Sequence, residues 1–465
     1  MTATTDRPID PGALIRSRGY LGVLVLAAII GIVVSVAGWA FLELTVHMQQ
    51  WVYLDLPVAI GFSATPVWWP LPILGIAGVP IAYAIVRLPG HGGHRPAAGL
   101  SPGPPTLPSM LPGVMLAAIV GIGLGVVLGP EAPLIALGGG LALLTVDLAR
   151  KGAPDQVKLV MAAAGSFAAI STIFGNPVIG AVIIIEAAGL GGPTLPLVLL
   201  PGLTAAGIGS VVFIGMGNLS GLSTSDYALG SLGLTPPPEL GVNEFVWAIV
   251  LGVVGAIVVR AILELAWKAE DVVMTRPMVL IPVAGLVVAA LAIAFAQVTG
   301  QPAESVLFSG QDAMGEIVQL GPTLSVGTLL ALLLFKGLAW SVSLASFRGG
   351  PTFPAIFMGL VIGLVAANVL GVSATAMIAI GMAATTVAML RLPLSSVILA
   401  MVLTQAGLSV APLIIIAVVV AYIVTEILGA RRQRPEPAGT TATTATAATT
   451  ATGKATATED AAAEG

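Results

Sequence analysis

Apolar runs long enough to cross a lipid bilayer recur along this chain, and they restrict its fold more than any other feature. A helix needs about 20 mostly apolar residues to span roughly 30 Å of hydrocarbon. Hydrophobic residues make up 57% of the chain and charged residues only 9%, against about 25% charged in soluble domains. The runs do not alternate apolar and polar residues, so they indicate helices and not a β-barrel. The sequence therefore predicts an all-α polytopic membrane protein. The clearest runs are Tyr20–Leu42, Trp68–Val86, Trp247–Ile262, Met278–Ala296, Val326–Leu344 and Val410–Leu428.

Basic residues near the ends of the apolar region predict its orientation. Cytoplasmic segments of membrane proteins carry an excess of Lys and Arg close to the spans. The terminal basic residues are Arg7, Arg16 and Arg18 before the first run and Arg431, Arg432 and Arg434 after the last. We therefore expect a multi-pass protein of the plasma membrane with both termini in the cytoplasm and an even number of crossings. We expect Arg150, Lys151 and Lys158 to mark a further cytoplasmic loop.

The two ends of the chain differ from the apolar region between them. We expect residues 1–18 to form a cytoplasmic segment and residues 19–430 to form the transmembrane domain. Residues 431–465 are rich in Ala and Thr and lack the large apolar side chains that would offset the entropy cost of ordering them. This segment is predicted to be a disordered cytoplasmic tail.

The residue types present exclude several classes of protein. An intramembrane enzyme needs a nucleophile with its base or a metal cluster, but the chain has no cysteine, three histidines and neither an HExxH nor a GxSxG motif. The apolar composition argues against nucleic-acid binding. We therefore expect no enzymatic activity, no cofactor, no metal site and no nucleic-acid partner.

Glycine and proline indicate that many of the helices are broken, short or tilted. The chain has 57 Gly and 34 Pro, about a fifth of its residues, against roughly 12% in average proteins. Irregular backbone is tolerated inside a membrane where protein buries it or where it lines a wet cavity. Breaks at corresponding positions of two halves are the best pointer to a transport site.

Such a correspondence exists between two parts of this chain. The pair Gly165 and Pro177 recurs as Gly381 and Pro393, each 216 positions later. Upstream of each pair lies a Gly/Pro break that should open a new helix, at 129–133 and at 349–354, with closing prolines 221 positions apart. The pattern predicts two related halves at about 19–217 and 243–430. The alternative is that small-residue helices resemble each other by composition alone.

Four motifs resemble those of the CLC chloride channels and chloride/proton antiporters, in order and in spacing, over about residues 20–428. They are Gly129-Pro130-Glu131-Ala132-Pro133, FGNPVIGAVIIIEA, Gly349-Gly350-Pro351-Thr352-Phe353-Pro354 and RLPLSSVIL. The resemblance implies a CLC-type inverted repeat of tilted and broken helices. It further implies a homodimer in the lipid bilayer, with one pathway for chloride or another small anion in each subunit.

Glu131 is a single carboxylate between two prolines, and the resemblance matches it to the gating glutamate of the family. A helix N-terminus offers free N–H groups and about half a positive charge. A carboxylate there can occupy the place of a chloride ion, and its protonation or displacement would open the path. The flanking Gly129, Pro130, Ala132 and Pro133 are the first candidate anion-binding residues. The alternative is that Glu131 only stabilises a helix dipole.

The second break supplies candidate anion-binding residues from the other half, namely Gly350, Pro351, Thr352 and Phe353. The family has Phe where this chain has Thr352, and Phe353 follows one position later. The Thr352 hydroxyl could add a hydrogen-bond donor. The alternative is an ordinary Gly/Pro helix start.

The loop Gly90-His91-Gly92-Gly93-His94 corresponds in the resemblance to the family loop whose serine coordinates the inner anion. His91 replaces that serine, and it joins Gly92 as a candidate anion-binding residue. A neutral imidazole N–H can donate to an anion, and a protonated one would make transport sensitive to pH. The alternative is a solvated loop without ion contact.

The proton route of the family's antiporters is incomplete in this sequence. Glu186 matches the first acid of a terminal pair, whereas Ala187 replaces the second, which relays protons. Glu186 is a weak candidate for a proton pathway and is more readily explained as a structural acid. Tyr422 is no convincing match to the inner-gate tyrosine. These departures favour channel-like anion flow over the alternative of a chloride or fluoride/proton antiporter.

Charged residues within or next to apolar runs allow two further interpretations. A buried acid often marks a cation or proton path, so a cation-coupled carrier is a second alternative. Lys336 and Arg348 are expected to snorkel to a membrane interface, with attraction of anions toward a vestibule as the other possibility.

Overall fold

The computed structural model describes residues 11–100, 104–192, 195–220, 232–235, 241–321 and 323–429. The expectations for residues 1–10 and for the tail at 431–465 lie outside the described residues. The predicted boundaries of the two halves are likewise untested and stay predictions.

The regular secondary structure in the described part of the chain is helical, and one isolated bridge joins Gly129 and Gly350. A π-helical turn, Trp51–Asp55, continues α2, and short 3-10 turns lie at Pro96–Ala98, Pro108–Met110, Ala303–Ser305 and Leu408–Val410. In chain order the helices are α1 Pro11–Ile15, α2 Arg18–Gln50, α3 Leu56–Ala59, α4 Pro70–Arg87, α5 Leu111–Gly123, α6 Glu131–Ala149, α7 Asp155–Phe174, α8 Pro177–Ala187, α9 Leu195–Ser220, α10 Val242–Val273, α11 Pro277–Thr299, α12 Ala313–Leu320, α13 Val326–Ser346, α14 Thr352–Leu370, α15 Ala374–Leu390, α16 Pro393–Thr404 and α17 Ala411–Ile427.

Ten helical segments within the described residues are long and apolar enough to cross a membrane. All six of the runs singled out in the sequence fall on such segments, so the predicted all-α polytopic class is confirmed. The helices extend past several of the runs; α10, for example, spans Val242–Val273 where the apolar run covers Trp247–Ile262. An apolar run identifies only the part of a helix that lies in the hydrocarbon region of a membrane. Polar residues such as Asn243 and Lys268 belong to the same helix but lie outside the run.

Both predicted Gly/Pro breaks open new helices, as expected. Helix α5 ends at Gly123 and α6 begins at Glu131, while α13 ends at Ser346 and α14 begins at Thr352. The irregular segments between these helices are largely buried. They therefore meet the condition under which a membrane tolerates non-helical backbone, because protein surrounds them.

Paired glycines let the helices after each break pack closely. A Cβ atom on Gly138 of α6 would overlap the carbonyl of Gly165 on α7, and one on Gly359 of α14 would overlap the carbonyl of Gly381 on α15. The first members of these pairs are 221 positions apart and the second members 216, the same offsets as in the sequence repeat. Small residues of this kind allow helix backbones to approach each other in membranes.

The prediction that Lys336 and Arg348 snorkel to an interface is wrong. Lys336 is fully buried and Arg348 is 6% exposed. The sequence places both in or next to an apolar run, which is compatible with an interface. Their actual partners are backbone carbonyls contributed by distant segments, and these are invisible in a local sequence pattern.

Candidate functional site

The two Gly/Pro breaks meet directly in the interior of the protein. The Gly129 N–H donates to the Gly350 carbonyl at 2.7 Å, and the Gly350 N–H donates to the Gly129 carbonyl at 2.6 Å. These two residues are 221 positions apart, the offset of the closing prolines. Helices α6 and α14 therefore start side by side.

Prolines occupy equivalent places at the two helix starts. Pro130 and Pro351 are the N-cap residues, and Pro133 and Pro354 are the third helical residues. An α-helix has four N–H groups at its start without an intrahelical partner, and proline has no N–H. The remaining N–H groups belong to the first two residues of each helix, namely Glu131, Ala132, Thr352 and Phe353. Both helix dipoles thus present their positive ends through few, closely spaced donors.

The carboxylate of Glu131 lies between these helix starts. It is fully buried, and its Oε1 accepts a hydrogen bond from the Thr352 N–H. Its Oε2 is buried without a hydrogen-bond partner. The first residue of α6 thereby caps the first residue of α14, across the boundary between the two breaks.

Glycine at 129 and 350 leaves the space that the Glu131 side chain occupies. A Cβ atom on Gly350 would overlap the Glu131 carboxyl group, and one on Gly129 would overlap its Oε2. The Cβ on Gly129 would also crowd the ring of Phe353 at 2.7 Å. Any other residue at these two places would displace the carboxylate.

Thr352 and Phe353 form the side of the site contributed by α14. The Thr352 hydroxyl is buried close to the Glu131 carboxylate. The Phe353 ring stacks on Phe174, the last residue of α7, with centroids 5.5 Å apart. The site therefore combines an aromatic wall with a buried hydroxyl beside the carboxylate.

The Gly90–His94 loop contacts the second break through Arg348. Residues 90–93 all have positive φ angles, from 48° at His91 to 98° at Gly93. The His91 ring is exposed and its Nδ1 donates to the Ile85 carbonyl at 3.0 Å. The His91 carbonyl accepts from Arg348 Nε at 3.3 Å, and Gly92 packs on the Arg348 side chain. The backbone of the loop, and not the His91 ring, makes the contact.

Glu186 accepts hydrogen bonds at a second contact between the predicted halves, which does not involve Glu131. Its carboxylate accepts from the Leu394 N–H at 2.8 Å, the Ser395 N–H at 2.7 Å and the Ser395 hydroxyl at 2.6 Å. These donors lie in the first turn of α16. The structure thus groups Glu131 with both breaks and places Glu186 at the start of another helix.

Lys336 is a buried cation that sequence reasoning did not assign to the site. Its Nζ donates to the carbonyl oxygens of residues 305–308 at 2.8 to 3.3 Å. It also lies 4.6 Å from the centroid of the Phe357 ring on α14. A charged residue in an apolar run was the available signal, but its partners lie about 30 residues upstream.

The segment held by Lys336 supports the loop that leads to Glu131. The Phe308 N–H donates to the Gly125 carbonyl at 3.2 Å. Tyr53 packs edge-on against Phe308 with centroids 5.2 Å apart, and its hydroxyl donates to the Leu124 carbonyl at 2.9 Å. Nothing in the sequence pattern indicated that Tyr53 would brace this loop.

Comparison with protein families gives a match over most of the chain. The profile described as voltage gated chloride channel matches residues 97–426. The protein YfeO of Salmonella paratyphi A, whose name suggests ion transport, is 29% identical over 359 residues, which cover 75% of this chain and 81% of YfeO. YfeO of Salmonella newport has the same identity and coverage.

Solved structures share the fold at low sequence identity. A slow cyanobacterial Cl-/H+ antiporter superposes with a TM-score of 0.71 at 18% identity, over 88% of this chain and 95% of that one. A CLC-type fluoride/proton antiporter gives 0.64 at 16% identity, over 88% and 96%. A eukaryotic CLC transporter gives 0.66 at 14% identity, over 88% and 72%. The fold of this chain, with its broken helices, is the CLC fold.

Proposed function

We propose, from the premise that this chain belongs to the voltage-gated chloride channel family, that it conducts chloride or a similar small anion past the paired starts of α6 and α14. The chain is a multi-pass membrane protein of an anion-transporting family. Glu131 is the gate of the proposed pathway.

The observation that carries this proposal is the position of the Glu131 carboxylate. It accepts a hydrogen bond from the first N–H of α14 while lying at the start of α6. Helix N-termini bind anions by these same donors, so a chloride ion and the carboxylate compete for one place. Protonation removes the charge of the carboxylate and with it most of its attraction to the donors. The Glu131 side chain then moves away, and the anion takes its position at the helix N-termini.

The remaining residues of the two breaks form the wall of this pathway. Backbone dipoles attract an anion without the deep binding that would stop its release. In the proposal, the amides of Ala132 and Phe353 and the hydroxyl of Thr352 donate to the anion once Glu131 has left. The other lining residues are Gly129, Pro130, Pro133, Gly350 and Pro351, with His91 and Gly92 on the side of Arg348.

We further propose that anion flow is not coupled to protons. The Glu186 carboxylate is occupied by three donors at the start of α16, and Ala187 beside it has no ionisable group. A proton added to Glu186 would break those hydrogen bonds. Exchange of chloride or fluoride for protons is the alternative, and two of the solved structures with this fold are named as antiporters.

The proposed setting is the plasma membrane, with both termini in the cytoplasm. Two copies of the chain would associate, each with its own pathway. The proposed gate depends neither on this orientation nor on the dimer, because the residues that contact Glu131 belong to the same chain.

Reconstituted liposomes with a chloride gradient test the gate. Glu131→Gln should raise chloride flux at neutral pH toward the level of the wild type in acid, and remove the dependence of flux on pH. Glu316→Gln on α12, an exposed acid, should behave as the wild type. If flux and its pH dependence are unchanged in Glu131→Gln, Glu131 is not a gate, and the alternative remains that it only stabilises a helix dipole. Uptake of radioactive sodium in place of chloride would favour a cation-coupled carrier.

The external pH of the same liposomes tests coupling. With a chloride gradient and no proton gradient, an uncoupled pathway leaves the external pH unchanged once the membrane potential is clamped with valinomycin and potassium. Uphill proton movement driven by chloride would establish exchange instead. Repeating the measurement with fluoride covers the fluoride/proton alternative.

A further inference from the structure

The C-terminus of α5 is capped by donors from the end of α2 and from the π-helical turn after it. An α-helix leaves its last four carbonyls without an intrahelical partner. Gln49 Nε2 donates to the Ile122 carbonyl at 3.0 Å, and the Tyr53 hydroxyl donates to the Leu124 carbonyl at 2.9 Å. Tyr53 is 4% exposed, so its hydroxyl would be costly to leave without an acceptor. The loop between α5 and Glu131 is therefore fixed where it begins.

Phe308 holds the next part of this loop. Its N–H donates to the Gly125 carbonyl at 3.2 Å, and its ring packs edge-on against Tyr53 with centroids 5.2 Å apart. Its carbonyl accepts from Lys336 Nζ at 3.3 Å. The φ angle of Phe308 is 57°, in the left-handed region that bulky side chains rarely adopt. Such strain persists only where contacts on several sides fix the residue, and these three contacts do so.

The segment 305–310, which includes Phe308, also packs on α14. Lys336 Nζ bonds to the first four carbonyls of the segment and lies 4.6 Å from the centroid of the Phe357 ring on α14. Gly310 packs on the same ring, since a Cβ atom there would lie 2.5 Å from it. The segment therefore contacts both sides of the hydrogen bond that holds the gate, namely the loop before Glu131 and the helix that supplies the donor.

We propose that Tyr53, Phe308 and Lys336 are positioning residues of the gate. They fix the loop that leads to Glu131 relative to the start of α14, so that the carboxylate reaches the Thr352 N–H. This inference rests on the proposed function, because it assigns these residues an effect on the release of Glu131. Loosening any of the contacts weakens the bond that keeps the ionised carboxylate in place. Less acid is then needed to release it, so chloride flux reaches half of its maximum at a higher pH.

Liposomes assayed over a range of pH test the inference through Tyr53→Phe. This variant loses only the hydroxyl that bonds to Leu124, and its ring still packs on Phe308. The pH of half-maximal chloride flux should rise by up to about one unit, which is the effect of one lost hydrogen bond on a proton equilibrium. Tyr83→Phe, at an exposed position of α4, is the matched control and should respond to pH as the wild type does. An unchanged midpoint in Tyr53→Phe would overturn the inference.

Other ionisable groups near this assembly have to be separated from Glu131. Glu304 acts electrostatically on Tyr53, and Asp312 lies two residues after the segment 305–310. Burial raises the pKa of both of these carboxyl groups. The shift caused by Tyr53→Phe should persist when Glu304→Gln or Asp312→Asn is added. Loss of the shift in either background would assign it to that acid and contradict the inference.

The cations near the assembly are Lys336 on α13 and Arg348 before the second break. Among the described residues, neither forms an ion pair with Glu131. A guanidinium keeps its charge over the pH range of the assay, so Arg348 cannot produce the shift. The ammonium of Lys336 is common to the wild type and to Tyr53→Phe, and its bonds to the carbonyls remain in both.

A Glu131→Gln background separates the positioning role from the gate itself. The positioning contacts act through the carboxylate, so adding Tyr53→Phe should leave the flux of Glu131→Gln unchanged. An equal rise of flux with and without the carboxylate would show a general loosening of the protein and would contradict the inference. If Glu131→Gln alone has the flux and pH dependence of the wild type, the proposed function fails. If Glu131→Gln acts as the gate predicts while Tyr53→Phe matches the wild type, only the positioning role fails.

Hydrogen exchange of the purified protein in detergent measures the loop without requiring transport. The N–H groups of residues 126–129 are all hydrogen-bonded, and they should exchange several times faster in Tyr53→Phe. Phe308→Leu is an independent variant that keeps the main-chain bond to Gly125 but lacks the ring that Tyr53 packs on. It should change exchange and the pH of half-maximal flux in the same direction. Exchange equal to that of the wild type in both variants would show that these side chains do not hold the loop.

Discussion

Glu131 shows how much of the site depends on one side chain. It is a fully buried acid with one of its two carboxylate oxygens bonded and the other without a partner. A buried oxygen without a partner costs about 1 to 3 kcal/mol. In the proposed gate, a proton on Oε2 or a competing anion would release the side chain.

Replacement of Gly350 by alanine should displace Glu131. The added methyl group would occupy the position of the carboxyl carbon, so we expect Gly350→Ala to open the pathway at neutral pH. Chloride flux from liposomes measures the effect.

A second variant separates displacement from general damage. In a Glu131→Ala background there is no carboxyl group to displace, so Gly350→Ala should change flux far less. Equal effects of Gly350→Ala in both backgrounds would show that the clash with Glu131 is not the cause.

Replacement of Lys336 by methionine should destabilise the protein. Methionine keeps the length of the side chain but leaves the carbonyls of residues 305–308 without their donor. We expect a loss of roughly 2 to 4 kcal/mol, because several buried acceptors become unsatisfied. Thermal unfolding in detergent measures it, and Lys268→Met at an exposed position of α10 is the control. Equal melting temperatures for the two variants would contradict the role given to Lys336.

Some residues of the site could be predicted from the sequence and others could not. Glu131, Gly350 and Thr352 could be predicted from the sequence, because Gly/Pro breaks at related positions indicate where helices start. The burial of Lys336 and Arg348 depends on carbonyls of residues 305–308 and of His91. Such contacts arise when distant segments pack together, and no local period or motif encodes them.

At the scale of helices, the N-termini of α14 and α16 are capped by side chains from other helices. The N-cap of α16 is Leu392, which has no side-chain oxygen to accept the first N–H groups. Glu186, near the end of α8, supplies that acceptor from another segment. Glu131 does the same for α14. In both places an acid from the earlier part of the chain fixes a helix of the later part.

Glu186→Ala should weaken the junction between α8 and α16. Removing a capping acceptor costs about 1 to 2 kcal/mol, so the melting temperature in detergent should fall by a few degrees. Glu316→Ala, at an exposed position of α12, is the matched control. If Glu186 served as a proton acceptor instead, Glu186→Ala would alter proton movement in the liposome assay while leaving the melting temperature unchanged.

Within the described residues, the helix pair α6 and α7 after the first break and the pair α14 and α15 after the second pack through glycines at related positions. Spans could be identified from apolar runs because hydrocarbon thickness imposes their length. Their ends were harder to place, since polar residues such as Lys268 lie on helix that continues beyond the apolar part. The orientation of the molecule in the membrane is a prediction from basic residues alone.

Single cysteines can test that orientation, because the chain contains none of its own. Lys151→Cys lies between α6 and α7 and Ser63→Cys between α3 and α4, both at exposed positions. With the N-terminus in the cytoplasm, a membrane-impermeant maleimide added to intact cells should label Ser63→Cys and spare Lys151→Cys. Labelling of Lys151→Cys alone would mean that the chain is inserted the other way round.

The pairing of Gly129 with Gly350 also affects how the protein is made. The ribosome adds Gly350 long after Gly129, so the first half enters the bilayer before its partner exists. During that interval Glu131 has no Thr352 amide to accept from. A chain stalled before Thr352 therefore holds every residue of the first break and lacks the donor that Glu131 uses. If Glu131 is the gate, as proposed, the closed pathway can form only after both breaks have been synthesised.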